Sequence, residues 1–155
     1  MKRLREIIAG QNVFCLPRGT SCLEAARYMT ERQVGAVPVL EGDLVVGIFS
    51  ERDLMSRVVA RGLDPRTTPI GQAMTKEILV GEADEPVETA LAKMKQKNIR
   101  HLPVIDGNQL IGMASLPDLL QLEVTLKDEE IQNLNAYIHY VPPGAARRAG
   151  TGSGS

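Results

Sequence analysis

Residues 13–58 of this chain can be laid on residues 78–123 in one register, a constant offset of 65 positions without a gap. Ala25 falls on Ala90, Met29 on Met94, Pro38 on Pro103, Val39 on Val104 and Gly42 on Gly107. Gly47, Ser50, Asp53 and Leu54 fall on Gly112, Ser115, Asp118 and Leu119. Elsewhere one apolar residue replaces another, as at Val13/Ile78, Val34/Ile99, Leu40/Ile105 and Val46/Ile111. A register of that length is a tandem duplication. It constrains the fold more than any other feature, because whatever one copy folds into, the molecule holds twice.

Each copy opens with a short apolar run, "NVFCL" or "EILV", bounded by polar residues as a strand is. A helix follows. In the first copy Ser21 and Glu24 form a capping-box pair, and Leu23, Ala26 and Met29 recur on one helical face. In the second, Pro86 fits the first helical position and Val87, Leu91 and Met94 carry the stripe. "AVPVL" and "HLPVI" then read as strands, whose proline confines them to a strand start or a sheet edge. "EGD" and "DGN" supply hairpin turns, and "LVVGIF" and "LIGMA" are the returning strands. Finally "GIFSERD" and "GMASLPD" share the skeleton Gly-x-x-Ser-x-x-Asp, a turn that opens a last helix. Ser followed three residues later by Asp can cap the free N–H groups of that helix start.

The expected class is therefore mixed α/β (α+β), two β-α-β-β-α units packed sheet to sheet as a pseudo-two-fold pair, since each unit alone leaves a sheet face uncovered. The expected boundaries are 8–60 and 73–124 for the repeats, with a linker at 61–72 rich in Pro and Gly. "KRLREII" is a short N-terminal helix candidate. Residues 125–140 extend the chain as a C-terminal helix whose apolar strip Ile131, Leu134 and Ile138 is the expected homodimer contact, and 141–155 read as a flexible tail after "VPPG".

The β-α-β-β-α unit, the apolar-Pro-Val strand, the acidic-Gly turn and the Gly-x-x-Ser-x-x-Asp ending together resemble the CBS domain. Their tandem arrangement, over residues 8 to 124, resembles a CBS pair, or Bateman module, of the small stand-alone bacterial type. The resemblance implies adenosine-containing ligands (AMP, ADP, ATP, NAD, S-adenosylmethionine) in clefts between the copies. By the same resemblance Asp53 and Asp118 take ribose hydroxyls, and Ser50 and Ser115 face phosphate. The chemistry is apt: a carboxylate has only acceptors to offer two adjacent hydroxyl donors, and a helix start suits an anion. Arg100 and His101, placed before Leu-Pro-Val, and Arg52, inside the first motif, are the implied cationic phosphate contacts. Val13, Gly35, Ala36 and Ile78 are the implied walls of the base pocket.

Each assignment has a plainer counterpart. Ser and Asp can be caps alone, Arg52 and Arg100 solvated charges, and His101 a structural histidine. Duplication does not separate the two, since caps would be duplicated as well.

Composition removes other classes. A net charge of −1 provides no basic field for a nucleic-acid backbone, and two Phe, three Tyr and no Trp make poor base-stacking platforms. No apolar run is long enough to span a membrane, and the "MKRLREII" start lacks the apolar core of a signal peptide, so no membrane partner and a cytoplasmic location are expected. Two cysteines, Cys15 and Cys22, without metal-ligand spacing read as reduced thiols, and two histidines, His101 and His139, argue against a metal site. Neither a P-loop nor a Gly-x-Gly-x-x-Gly motif occurs. The sequence thus points to a non-enzymatic sensor of an adenine nucleotide that docks to itself as a homodimer or to a regulated protein. The alternative is a ligand-free dimerising scaffold.

Overall fold

The computed structural model describes residues 2–131. The chain divides into two units, Met1–Leu122 and Glu123–Ser155, and both repeats lie in the first. The C-terminal strip Leu134 and Ile138, and the side chain of Ile131, lie outside the described residues.

A short helix α1 (Leu4–Ile7) precedes the first repeat: β1 (Leu16–Pro17), α2 (Cys22–Arg32), β2 (Ala36–Glu41), β3 (Leu44–Ser50) and α3 (Glu51–Asp53). Helix α3 runs on in π geometry over Leu54–Val59. After α4 (Ile70–Ala73) the order recurs as β4 (Gly81–Glu82), α5 (Val87–Lys97), β5 (His101–Asp106), β6 (Gln109–Ser115) and α6 (Leu116–Ile131). Each repeat holds one three-stranded sheet, ordered β1-β2-β3 or β4-β5-β6, with the first pair parallel and the second antiparallel.

Prolines 38 and 103 depart from the edge placement expected for them, since each lies in the middle strand of its sheet. The register explains how. Pro38 faces Ile48, whose N–H turns away to the Thr75 carbonyl at 3.0 Å, so Pro38 is not called on to donate to β3. On its other side β1 begins only opposite Val39, because a proline there gives the parallel ladder no donor. The same limit explains why "NVFCL" and "EILV" form so little strand. Pairing starts at Leu16 in one copy and at Gly81, beyond "EILV", in the other.

The hairpins are two-residue loops with positive φ at Gly42 (61°) and Gly107 (63°), the first loop position, as in type II′ turns. Helix α2 is capped by Ser21, whose hydroxyl accepts from Glu24 N–H at 3.1 Å. Its fully buried stripe is Cys22, Ala25 and Met29, one step round from the expected Leu23 and Ala26, which are half-buried. In α5, Val87, Ala90, Leu91 and Met94 are buried. Both helices end on a left-handed residue, Gln33 (φ 55°) and Asn98 (φ 53°).

The segment ahead of each repeat packs on the other repeat. Leu4 and Ile8 belong to the core of the second copy, with Met94, Leu102 and Leu119, whereas Ile70, Ala73 and Met74 belong to the core of the first, with Met29, Phe49 and Val58. The backbone follows suit. Leu4 N donates to Glu85 O (3.0 Å) and Val87 N to Lys2 O (2.9 Å). Their counterparts are Ile70 N to Thr20 O (2.8 Å) and Cys22 N to Thr68 O (2.9 Å). The expected linker 61–72 thus contains the start of α4, with Ile70 wholly buried. This reciprocal exchange ties the copies into one body.

Candidate functional site

A cavity of about 930 Å³ opens between the repeats. Both Gly-x-x-Ser-x-x-Asp turns reach it. The turns are held alike: Glu51 N donates to the Gly35 carbonyl at 3.0 Å, and Leu116 N to the Arg100 carbonyl at 2.8 Å. Each bond fixes the start of a helix against the strand that precedes the proline.

Of the residues expected in the site, Ser50, Arg52, Ser115, Asp118, Arg100, His101, Gly35, Ala36 and Ile78 line the cavity. Val13 does not, and it is 45% exposed; its neighbour Phe14 lines the wall instead. Asp53 does not line it either. The Asp53 carboxylate is 4% exposed, and its Oδ2 accepts from the Ser50 N–H (3.0 Å) and the Ser50 hydroxyl (3.1 Å). Its Oδ1 accepts from the Thr75 hydroxyl (3.0 Å) and lies 3.8 Å from Arg57 Nε. In the first copy, then, the capping reading of the motif holds in full. Asp118 differs. Its N–H donates to Ser115 Oγ at 3.3 Å, but the exposed carboxylate takes no hydrogen bond among the described residues.

Sequence reasoning missed Glu51, Thr75, Glu77, Lys97 and Gln11, all of which line the cavity. Glu51 lies where a Cβ on Gly35 would be 3.3 Å from its carboxylate, so Gly35 makes room for an acid rather than for a base. Gln11 puts its side-chain amide on the edge of β6, with Nε2 donating to Met113 O (3.3 Å) and Oε1 accepting from Met113 N (3.2 Å). In the other copy the backbone of Thr75 makes the equivalent pair with Ile48 (2.8 and 3.0 Å).

His101 is half-buried at the centre of these groups. Burial pushes its imidazole below the ordinary value and Arg100 adds to this, while Glu51, Asp118 and Asp53 pull the other way. The neutral ring is favoured while the cavity holds no anion. Among the described residues no three His, Cys, Asp or Glu side chains converge as metal ligands would, and no helix is long and apolar enough to cross a membrane. Cys15 and Cys22 are free thiols whose pKa burial raises.

The model of the CBS domain family matches residues 4–60 and 70–124. The chain belongs to the CBS domain family. It is 35% identical over 120 residues, 74% of its length, to the mitochondrial CBS domain-containing protein CBSX3 of Arabidopsis thaliana, and spans 58% of that protein. A CBS-domain protein of Burkholderia ambifaria MC40-6 named for signal transduction superposes with a TM-score of 0.73 at 29% identity, over 80% of this chain and 95% of the other. The CBS domain pair of MJ0100, solved with 5′-methylthioadenosine and S-adenosyl-L-methionine, shares the fold (TM-score 0.70, 22% identity, 81% and 98% covered). The chain is thus a small tandem CBS pair, similar to stand-alone bacterial proteins of that kind.

Proposed function

We propose that this CBS pair is a non-catalytic sensor that takes an adenosine-containing ligand (AMP, ADP, ATP or NAD) into the cavity between its repeats. The observation that carries the proposal is the Asp118 carboxylate, on the cavity wall and without a hydrogen bond among the described residues, with Ser115, Arg100 and His101 lining the same space. The carboxylate suits a ribose diol, and the hydroxyl, the guanidinium and the helix start suit a phosphate. A cavity of about 930 Å³ is of the size in which small ligands are buried. The adenosyl ligands of the MJ0100 pair supply a precedent in the same fold.

A specific observation favours the scaffold alternative for one copy: Ser50 and Asp53 satisfy each other as a helix cap and need no ligand. A thermal-shift panel of AMP, ADP, ATP, NAD, S-adenosylmethionine and GTP separates the two. At about 100 times its dissociation constant a ligand adds about 2.7 kcal/mol, a shift of several degrees. No shift with any member at millimolar concentration leaves the scaffold standing and the sensor refuted.

A further inference from the structure

The two motif copies are identical in skeleton and unequal in chemistry. Around Asp53 every polar group is committed. Thr75 holds Oδ1 and Ser50 holds Oδ2. The Ser50 hydroxyl donates its only proton to Asp53 while accepting from Asp53 N–H at 3.2 Å. Arg57, beside Oδ1, is itself pinned to the Met74 carbonyl at 2.7 Å.

Of these partners only Ser50 has an equivalent around Asp118, Ser115, which accepts from the Asp118 N–H. The position of Arg57 is taken by Leu122, and the segment matching Met74–Thr75 is Ile8, Ala9 and Gly10, which carries no hydroxyl. Among the described residues the Ser115 hydroxyl has no acceptor for its proton, and the Asp118 carboxylate has no donor.

The walls differ in the same sense. A backbone bridge through Thr75 closes the edge of β3 at Ile48, whereas a side-chain amide from Gln11 closes the edge of β6 at Met113. A side chain can swing aside at the cost of two hydrogen bonds, but a bridge held by the buried Met74 beside it cannot. Charge follows suit. The second copy has Arg100 and His101 where the first has Gly35 and Ala36, and the first has Glu51 beside Ser50 where the second has Leu116 beside Ser115. An anion near Ser50 would meet the Glu51 carboxylate as well as the Arg52 guanidinium, whereas Ser115 is followed by the uncharged Leu116 and Pro117.

We propose that the chain binds a single adenosine ligand, at Asp118, and that Thr75 is the built-in partner of Asp53, its hydroxyl standing on the carboxylate where a ribose hydroxyl would stand. The proposal rests on the sensor function above and specifies its stoichiometry and its ligand-bearing copy.

Isothermal titration with AMP, ADP, ATP, NAD and S-adenosylmethionine tests it on the full chain. Any probe that binds is expected at one equivalent per chain, with Thr75→Ser unchanged because it keeps the hydroxyl. Thr75→Val, of similar shape but unable to donate, should admit a second equivalent. Asp118→Asn should weaken the first site by up to about 10- to 150-fold in the parent and leave the added site of the Thr75→Val background at its own affinity. Two equivalents on the parent chain, or loss of binding in Asp53→Asn but not in Asp118→Asn, would overturn the single-site assignment and leave the sensor function intact. No binding of any of the five probes would overturn both. Asp118→Asn keeps the test decisive if the Thr75→Val chain does not fold.

Discussion

At the scale of single residues, Asp53 and Asp118 hold matching places in the sequence and opposite states in the fold. The sequence offered both carboxylates the same two readings, helix cap and ribose contact, and nothing in "SERD" or "SLPD" tells the two apart. The difference arises from Thr75, which comes from the segment ahead of the other repeat. Gln11 was illegible for a related reason, since its amide replaces a backbone pair made by a different segment. Gln11→Ala removes two hydrogen bonds at the rim, each worth about 1 kcal/mol, and should lower stability by about 1–2 kcal/mol in urea melts. His101 adds a pH dependence. Its pKa is lowered in the fold, so the unfolded chain binds that proton more readily. The stability it contributes is present above the ordinary histidine value of about 6.5 and is lost as pH falls through the lowered one. The ligand-free protein should lose melting temperature on acidification in that range, and His101→Gln should blunt the loss. A phosphate beside the ring favours its protonated form, so binding should take up a proton and tighten as pH falls, seen as a buffer-dependent calorimetric enthalpy.

At the scale of elements, the sequence resolved the helices, hairpins and order of each repeat because their signals are local: Ser21 at an N-cap, Pro86 at a helix start, and Gly42 and Gly107 in turns. The first strands were not resolved, because their ladders are limited by Pro38 and Pro103 across the sheet rather than by their own residues. The N-terminal helix was legible in "KRLREII", but its correspondence to the segment ahead of the second repeat was not, because Leu4, Ile8, Ile70 and Met74 match only after a one-residue shift of register. Gly47 and Gly112 mark where those segments cross. A Cβ on Gly47 would lie 2.8 Å from the Thr75 carbonyl and 2.5 Å from Met74 Sδ. A Cβ on Gly112 would meet side chains, Ile8 Cδ1 at 2.9 Å and Gln11 Oε1 at 3.0 Å. Backbone yields less than a side-chain end. Gly47→Ala should therefore cost about 1–3 kcal/mol by chemical denaturation, and Gly112→Ala measurably less; an equal cost would mean that both crossings are equally plastic.

For the whole molecule, the exchange of segments makes the repeats interdependent. Leu4 is fully buried in the second core although it precedes the first repeat. Leu4→Ala should destabilise the chain by about 2–5 kcal/mol, with hydrogen exchange accelerated first in α5 and β5. The homodimer expected from the sequence rests on other ground, since its strip Ile131, Leu134 and Ile138 lies outside the described residues. Met55 and Val59, 64% and 61% exposed on the π continuation of α3, supply an apolar face of the kind that two-fold interfaces cover. Light scattering at micromolar concentration should give twice the chain mass, and a monomer would reject the dimer.

The central claim is that the freedom of the Asp118 carboxylate makes this CBS pair a nucleotide sensor. The affinity of the parent chain and of Asp118→Ala for AMP and ATP, measured by calorimetry, tests it most directly. Charge-assisted bonds to ribose are worth about 1.5–3 kcal/mol, so the variant should bind about 10- to 150-fold more weakly while melting like the parent without ligand. Equal affinity in the two folded chains would contradict the account.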